Sequence, residues 1–127
     1  MKILITGSRE ATPEMLQAVK TYIDWADEHD AQVIVGDAPG MDAEVIRLCD
    51  ERLIPLTVVG AYGKLRHRSK FPEQNCYIAG GYLDRDRLMA HKCDCCIAIW
   101  NGRSRGTKYT YDYAQSLGKQ TVMWRVK

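Results

Sequence analysis

The stretch Cys95-Cys-Ile-Ala-Ile-Trp-Asn-Gly-Arg-Ser-Arg-Gly-Thr107 passes from an apolar run into a turn of small residues and then into a helix-like segment. A strand that leads through such a turn into a helix presents free backbone N–H groups and the positive end of the helix dipole, and both favour phosphate. Arg103 and Arg105 add positive charge, and arginine can bind phosphate through two parallel hydrogen bonds. The stretch therefore predicts a strand–helix unit with a phosphate-binding turn between its two parts.

The same alternation of apolar runs and helical patterns extends along the chain. Apolar runs predict five strands, at 2–6, 32–36, 55–59, 95–100 and 120–126. One helical pattern begins at Thr12-Pro13, and three others cover 42–51, 81–92 and 106–117. The segment 60–80 is irregular. Strand–helix alternation predicts an α/β fold, a Rossmann-like three-layer sandwich around a five-stranded parallel sheet, with strand order 3-2-1-4-5.

Length and composition are those of an ordinary globular chain. The 127 residues predict a single domain over 1–127, and 46% of them are apolar and 27% charged. A net charge of +2 gives no indication of nucleic acid or membrane as a partner. Five cysteines without disulfide-scaffold spacing, and no leader or membrane-spanning pattern, predict a cytoplasmic protein. Cys93, Cys95 and Cys96 fit no standard zinc pattern, so we expect structural cysteines, no metal and no cofactor.

Two further turns of small residues follow predicted strands, Thr6-Gly-Ser-Arg9 and Gly36-Asp-Ala-Pro-Gly-Met-Asp42. In the expected strand order the first and fourth strands are neighbours, and ligands of such sheets bind at their carboxyl ends, where the winding direction reverses. The turns at 7–9 and 101–107 should therefore flank a crevice, and the turn at 36–42 should form its wall. Asp42 could equally be only the N-cap of the second helix.

The basic segment from Lys64 to Lys70, which includes Arg66, His67 and Arg68, leaves three interpretations open. It begins at the same edge of the sheet as the crevice, so it could close over bound phosphates. It could also be a solvated basic loop. A basic loop beside Tyr62 and Phe71 could instead follow a nucleic acid, with bases stacking on the aromatic rings.

Four motifs in order along nearly the whole chain resemble the SLOG superfamily, and more closely its small stand-alone YspA/YpsA-related members. They are Gly7-Ser-Arg9, Val35-Gly-Asp-Ala-Pro-Gly-Met-Asp42, Arg85-Asp-Arg-Leu-Met89 and Ile97-Ala-Ile-Trp-Asn-Gly-Arg-Ser-Arg-Gly-Thr107. The superfamily is Rossmann-like and includes nucleotide-derivative sensors, lonely-guy phosphoribohydrolases, molybdenum-cofactor carriers and the DNA-processing protein DprA/Smf. The turns and the resemblance together give this candidate ligand-binding set: Gly7, Ser8, Arg9, Gly36, Asp37, Gly40, Asp42, Asn101, Gly102, Ser104, Arg105, Gly106 and Thr107.

The chain departs from the lonely-guy enzymes at one position that matters for catalysis. Their Gly-Gly-x-Gly-Thr-x-x-Glu signature resembles Gly102 to Thr110, so Thr110 stands where the resemblance implies a catalytic glutamate. Arg85 matches an arginine of these enzymes. Asp86, Asp37 or Asp112 could take the place of the missing glutamate. The catalytic candidates are therefore Arg85, Asp86 and Asp37.

These observations favour a binding protein that senses or carries a nucleotide or nucleotide derivative through phosphate-cradling turns. The alternative is a nucleotide or nucleoside-phosphate hydrolase that cleaves an N-glycosidic bond with another acid. A second alternative is binding of single-stranded nucleic acid, since DprA-like proteins share the Gly-x-x-x-Gly-x-Asp pattern of Gly36 to Asp42. The near-balanced charge disfavours nucleic acid, so the expected partner is a phosphate-bearing small molecule, and a homo-oligomer is open.

Overall fold

In the computed structural model, which describes residues 1–126, the chain forms six strands and four α-helices. The strands are β1 (Lys2–Gly7), β2 (Gln32–Gly36), β3 (Leu56–Gly60), β4 (Asn75–Tyr77), β5 (Cys95–Trp100) and β6 (Gln120–Arg125). The helices are α1 (Pro13–Glu28), α2 (Met41–Arg52), α3 (Tyr82–Lys92) and α4 (Arg105–Ser116), and a 3₁₀ turn over Pro72–Gln74 precedes β4.

All six strands are parallel and lie in the order β4-β3-β2-β1-β5-β6. The prediction of five strands in the order 3-2-1-4-5 is therefore wrong, because a sixth strand pairs outside β3 at the edge of the sheet. That strand has only three residues, Asn75-Cys-Tyr77, and most of it is exposed. An edge strand of this length has no apolar run, so the irregular pattern of 60–80 concealed it.

Helices cover both faces of the sheet, as the α/β prediction requires. Side chains of a strand alternate between the two faces, and here Ile3 and Ile5 join one buried cluster while Leu4 joins the other. The first cluster packs α1 and α2 against the sheet, and the second packs α3 and α4. The four central strands β1, β2, β3 and β5 are therefore buried on both faces, and their residues are largely apolar.

The ends of the helices agree with the sequence in two places and differ in a third. Thr12 caps α1 by accepting a hydrogen bond from the amide of Met15. Gly118, with a φ of 77°, lies in the left-handed region just after α4. The alternative that Asp42 is the N-cap of α2 is wrong, because the cap residue is Gly40 and Asp42 lies in the first helical turn.

Across the described residues, none of the helices combines the length and the apolar character that crossing a bilayer requires.

Candidate functional site

A cleft of about 440 Å³ opens at the carboxyl ends of β1 and β5. We call it the rim cleft. Its walls come from the turn after β1, the first turn of α2, the first turn of α3 and the turn between β5 and α4. β1 has β2 on one side and β5 on the other, so the cleft lies where the direction of winding reverses.

The turn between β5 and α4 is built by its own polar side chains. The Oδ1 of Asn101 accepts hydrogen bonds from the amides of Arg103 and Ser104, both at 2.9 Å. Ser104 then caps α4, because its hydroxyl accepts from the amide of Thr107. The indole N–H of Trp100 donates to the carbonyl of Ser104 at 2.9 Å. These contacts hold the turn in one shape without a ligand.

Two backbone donors of this turn remain open. Within residues 1–126, the amides of Arg105 and Gly106 have no hydrogen-bond acceptor. They are the first two residues of α4, where a helix offers unpaired N–H groups and its positive end. Gly106 lines the rim cleft, and a Cβ at this position would meet no atom within 4 Å. An anion can therefore approach these donors closely.

The turn after β1 makes close contacts with both the β5–α4 turn and the turn after β2. The hydroxyl of Ser8 accepts from the amide of Asn101 at 3.2 Å, which joins the two turns that flank the cleft. Gly40 has a φ of 82°, and a Cβ there would overlap the carbonyl oxygen of Arg9. Only glycine permits this backbone conformation together with this approach.

A network of buried charges lies beneath the wall formed by α2 and α3. Arg85 is 7% exposed, and its guanidinium donates to Asp37 at 2.9 Å, to Asp86 at 2.8 Å and to the carbonyl of Val59 at 3.1 Å. Arg66 binds the same Asp37 through its amide at 2.8 Å and its guanidinium at 2.9 Å. Arg66 and Arg85 lie over the ring of Tyr82, at 4.4 and 5.3 Å from its centroid.

The three buried acids of this network differ in pKa for physical reasons. Burial raises the pKa of Asp42 from 3.8 to about 7, against the opposing effect of Arg85. Burial also raises the pKa of Asp86, and Arg85 again opposes it. Burial acts in the same direction on Asp37, but its hydrogen bonds from Arg66 outweigh it and the pKa of Asp37 falls. Among the described residues, Asp37 and Asp86 form ion pairs with these arginines and Asp42 does not, and burial is the main cause of the raised pKa of Asp42.

The structure brings most of the sequence-predicted residues to the rim cleft. Those that line it are Gly7, Ser8, Arg9, Asp42, Arg85, Asp86, Asn101, Ser104, Gly106 and Thr107. Gly36 and Asp37 lie behind the wall, because a Cβ at Gly36 would come within 2.8 Å of both Arg85 and Asp42, and Asp37 is 1% exposed. Gly40, Gly102 and Arg105 belong to the adjoining turns but do not line the cleft.

Other residues line the rim cleft without having been in the candidate set: Thr6, Glu10, Ala38, Arg66, Tyr82 and Arg103. Arg103 and Arg66 carried a signal in the sequence, since one lies in the β5–α4 turn and the other in the basic segment. Tyr82 begins α3 directly after Gly80-Gly81, a turn that the sequence analysis did not connect with the cleft.

The acids considered as substitutes for a catalytic glutamate lie in different places. Asp86 lines the cleft with a raised pKa, Asp37 is held by two arginines, and Asp112 pairs with Lys108 at 2.6 Å on α4. Thr110 is 1% exposed and its hydroxyl donates to the carbonyl of Gly106 at 2.9 Å. Thr110, the residue at which the resemblance to the lonely-guy enzymes implies a glutamate, therefore supports the start of α4 and supplies no acid.

Cys93, Cys95 and Cys96 are buried, and none of the five cysteines forms a disulfide within the described chain. Over residues 1–126, no group of three or more His, Cys, Asp or Glu side chains is arranged to hold a metal ion.

Comparisons with known proteins give a structural likeness and no sequence match. No protein-family model matches the chain, and no curated protein matches it. DNA processing protein A from Helicobacter pylori, studied for its unique single-stranded DNA binding mode, has a similar structure, with a TM-score of 0.75 and 19% sequence identity. The likeness covers 100% of this chain and 66% of that one, so this chain spans slightly less than two thirds of its neighbour. At this identity the likeness establishes the fold: a parallel, Rossmann-like α/β domain.

This neighbour corrects one expectation. The near-balanced net charge disfavoured nucleic acid and pointed to a small molecule as partner, yet a protein of this fold binds single-stranded DNA. Net charge was a poor guide because it averages over the whole surface, whereas a nucleic acid responds to the local arrangement of charges.

Proposed function

We propose that this protein binds single-stranded nucleic acid through the rim cleft, as a member of the SLOG superfamily. The observation that carries the proposal is the pair of open amides at Arg105 and Gly106, which lie beside two exposed arginines, Arg9 and Arg103, at the cleft. Backbone amides and arginines bind phosphate oxygens without reading the bases. The phosphodiester backbone is therefore the part of the strand that this site would hold.

The charges of the cleft support this assignment. Among the described residues, neither Arg9 nor Arg103 forms an ion pair, so their charge is free for a ligand. The first turn of α4 contains no acidic residue. Glu10 is the exposed acid of the lining. Burial raises the pKa of Asp42 to about 7, which reduces its negative charge near neutral pH, and burial also raises the pKa of Asp86.

The structural neighbour supports the same class of ligand, since a protein of this fold with 19% identity binds single-stranded DNA. A free nucleotide would use the same phosphate contacts, but no contact in the cleft favours it over a strand. Competition by nucleotides therefore belongs in the test.

The experiment is a fluorescence-anisotropy titration with a labelled oligodeoxythymidylate strand in low salt, repeated at increasing salt. We expect saturable binding. The logarithm of the association constant should fall linearly with the logarithm of the salt concentration, with a slope of about −0.7 for each phosphate neutralised. Arg9→Ala and Arg103→Ala should each weaken binding by about 1–3 kcal/mol, the scale of a charged hydrogen bond. Lys20→Ala, an exposed change on α1, is the matched control and should leave affinity unchanged.

Absence of binding to the strand at low salt would refute the proposal. Equal losses in Arg9→Ala, Arg103→Ala and Lys20→Ala would place binding outside the rim cleft. Displacement of the strand by millimolar AMP or ADP, with no preference for the strand, would show that the cleft recognises free nucleotides.

A further inference from the structure

A second groove of about 420 Å³ lies on the other side of the wall that closes the rim cleft. We call it the loop groove, and we define it by Arg47 and Asp50 of α2 and by His67, Arg68, Lys70 and Asn75. At two places, residues adjacent in the chain line different cavities. Asp42 lines the rim cleft and Ala43 the loop groove, and likewise Arg66 lines the first and His67 the second.

Adjacent Cα atoms are about 3.8 Å apart, so the linings of the two cavities meet at the start of α2 and in the basic segment. A flexible polymer held in one cavity can therefore continue over Arg66 into the other. A single phosphate group cannot occupy both.

The basic segment is held against the protein by hydrogen bonds along its length. The amide of Arg66 donates to Asp37 and that of Lys70 donates to Asp50, each at 2.8 Å. Between them Ser69, 2% exposed, donates its hydroxyl to Asp50 at 2.6 Å and its amide to Asn75 at 2.8 Å. A segment fixed in this way loses little conformational freedom when it binds a ligand.

The charges of the loop groove are predominantly positive and unpaired. His67, Arg68 and Lys70 are exposed, and within residues 1–126 none of them forms an ion pair. The carboxylate of Asp50 is used by Ser69 and Lys70. Arg47 already pairs with Glu44 and Glu51, so it adds little attraction for an anion.

We propose that the loop groove is a second phosphodiester-binding subsite, in which Arg68 and Lys70 hold the continuation of a single strand that the rim cleft binds. The proposal rests on the proposed function. It adds that affinity depends on strand length, because only a strand long enough to cross Arg66 reaches the second set of charges.

The test compares two oligodeoxythymidylates, of about 4 and about 16 nucleotides, which bracket the site sizes of small single-strand-binding domains. The variant is Arg68→Ala/Lys70→Ala, which keeps the backbone amide that Lys70 donates to Asp50. The control is Lys20→Ala, and thermal unfolding of each variant verifies that the fold is retained. The short strand is measured by its displacement of the labelled long strand.

We expect the double variant to bind the long strand at least about tenfold more weakly, while the short strand changes by less than about twofold. The salt dependence for the long strand should become shallower by about 0.7 for each phosphate that the variant no longer neutralises. Unchanged affinity for the long strand, or equal losses for both strands, would overturn the second subsite while binding at the rim cleft stands. No binding of either strand by the unaltered protein would refute the proposed function, and the second subsite with it.

Discussion

The turn between β5 and α4 and the turn between β2 and α2 lie at the same edge of the sheet, yet they differ in the charges at the start of the helix that follows. In the β5–α4 turn, side-chain oxygens of Asn101 and Ser104 accept the amides that shape the loop, and those of Arg105 and Gly106 stay free. In the β2–α2 turn, the carboxylate of Asp42 accepts the amide of Ala38 at 3.1 Å.

The two helices that follow these turns differ in the same sense. The first turn of α2 contains Asp42 and Glu44, whereas the first turn of α4 contains no acid. A carboxylate at a helix N-terminus satisfies its positive end and repels a bound anion, and Asp42 does so most strongly above its pKa of about 7. A glycine turn after a strand is therefore not enough to identify a phosphate site, because the helix that follows can already carry its own counter-charge.

The largest expected effect concerns the buried charges beside the β2–α2 turn. Arg85→Met removes the guanidinium that binds Asp37 and Asp86. Asp37 keeps Arg66, whereas the buried Asp86 loses its ion-pair partner. Loss of one member of a buried charge pair costs about 3–5 kcal/mol. Urea unfolding at a pH above the Asp42 pKa of about 7 measures the loss in free energy of unfolding.

Arg87→Met is the matched control on the same helix, because Arg87 is 41% exposed in its side chain and pairs with the exposed Asp84. An exposed pair contributes less than about 1 kcal/mol. Equal costs for Arg85→Met and Arg87→Met would show that the buried network does not support the wall of the cleft.

A smaller effect concerns the pH dependence of the same turn. The pKa of Asp42 is raised to about 7 in the folded protein, so its stabilising contribution is complete below its ordinary pKa of 3.8 and is lost as pH rises through about 7. Asp42→Asn keeps an acceptor for the amide of Ala38 and removes this titration.

Each unit of pKa difference corresponds to about 1.4 kcal/mol, so the stability of Asp42→Asn relative to the unaltered protein should rise by more than about 1 kcal/mol between the two pKa values. Thermal or urea unfolding across this pH range measures the difference. Parallel stability curves for the two proteins would contradict the raised pKa of Asp42.

The smallest effect concerns the β5–α4 turn. Gly106→Ala places a methyl group where no atom lies within 4 Å, and alanine is favoured over glycine in a helix by up to about 1 kcal/mol. Stability should therefore stay the same or rise slightly. Affinity for single-stranded DNA should fall by about 1 kcal/mol, because the methyl group obstructs the approach of a phosphate to the free amides.

Gln115→Ala, an exposed change near the end of α4, controls for helix propensity and should leave DNA affinity unaltered. If Gly106→Ala binds DNA as tightly as the unaltered protein, no phosphate lies against the start of α4.

The α/β class and the two covered faces could be predicted because apolar strands alternate with amphipathic helices. β4 could not, since three residues at an edge, two of them exposed, carry no periodic signal. The position of the rim cleft could be predicted from the turns at Gly7 and Asn101, because the strands that precede these turns fix their positions. The internal role of Asp37 could not be predicted, because Arg66 and Arg85 that bind it come from distant parts of the chain.

The position of Tyr82 in the cleft likewise depends on how α3 packs beside α4. The sequence does not show that Arg103, rather than Arg105, lines the cleft. That depends on the shape that Asn101 and Ser104 impose on the loop. The ligand site at this edge of the sheet stays a prediction, and tertiary packing decides which backbone amides of the turns are left open.

The most direct test of the central claim is an NMR titration of ¹⁵N-labelled protein with a single-stranded oligodeoxythymidylate. A phosphate held at the start of α4 should shift the amide resonances of Arg105 and Gly106 most, and those of Ala38 and Asp42 much less. The largest shifts in the β2–α2 turn, or far from the rim cleft altogether, would contradict the account.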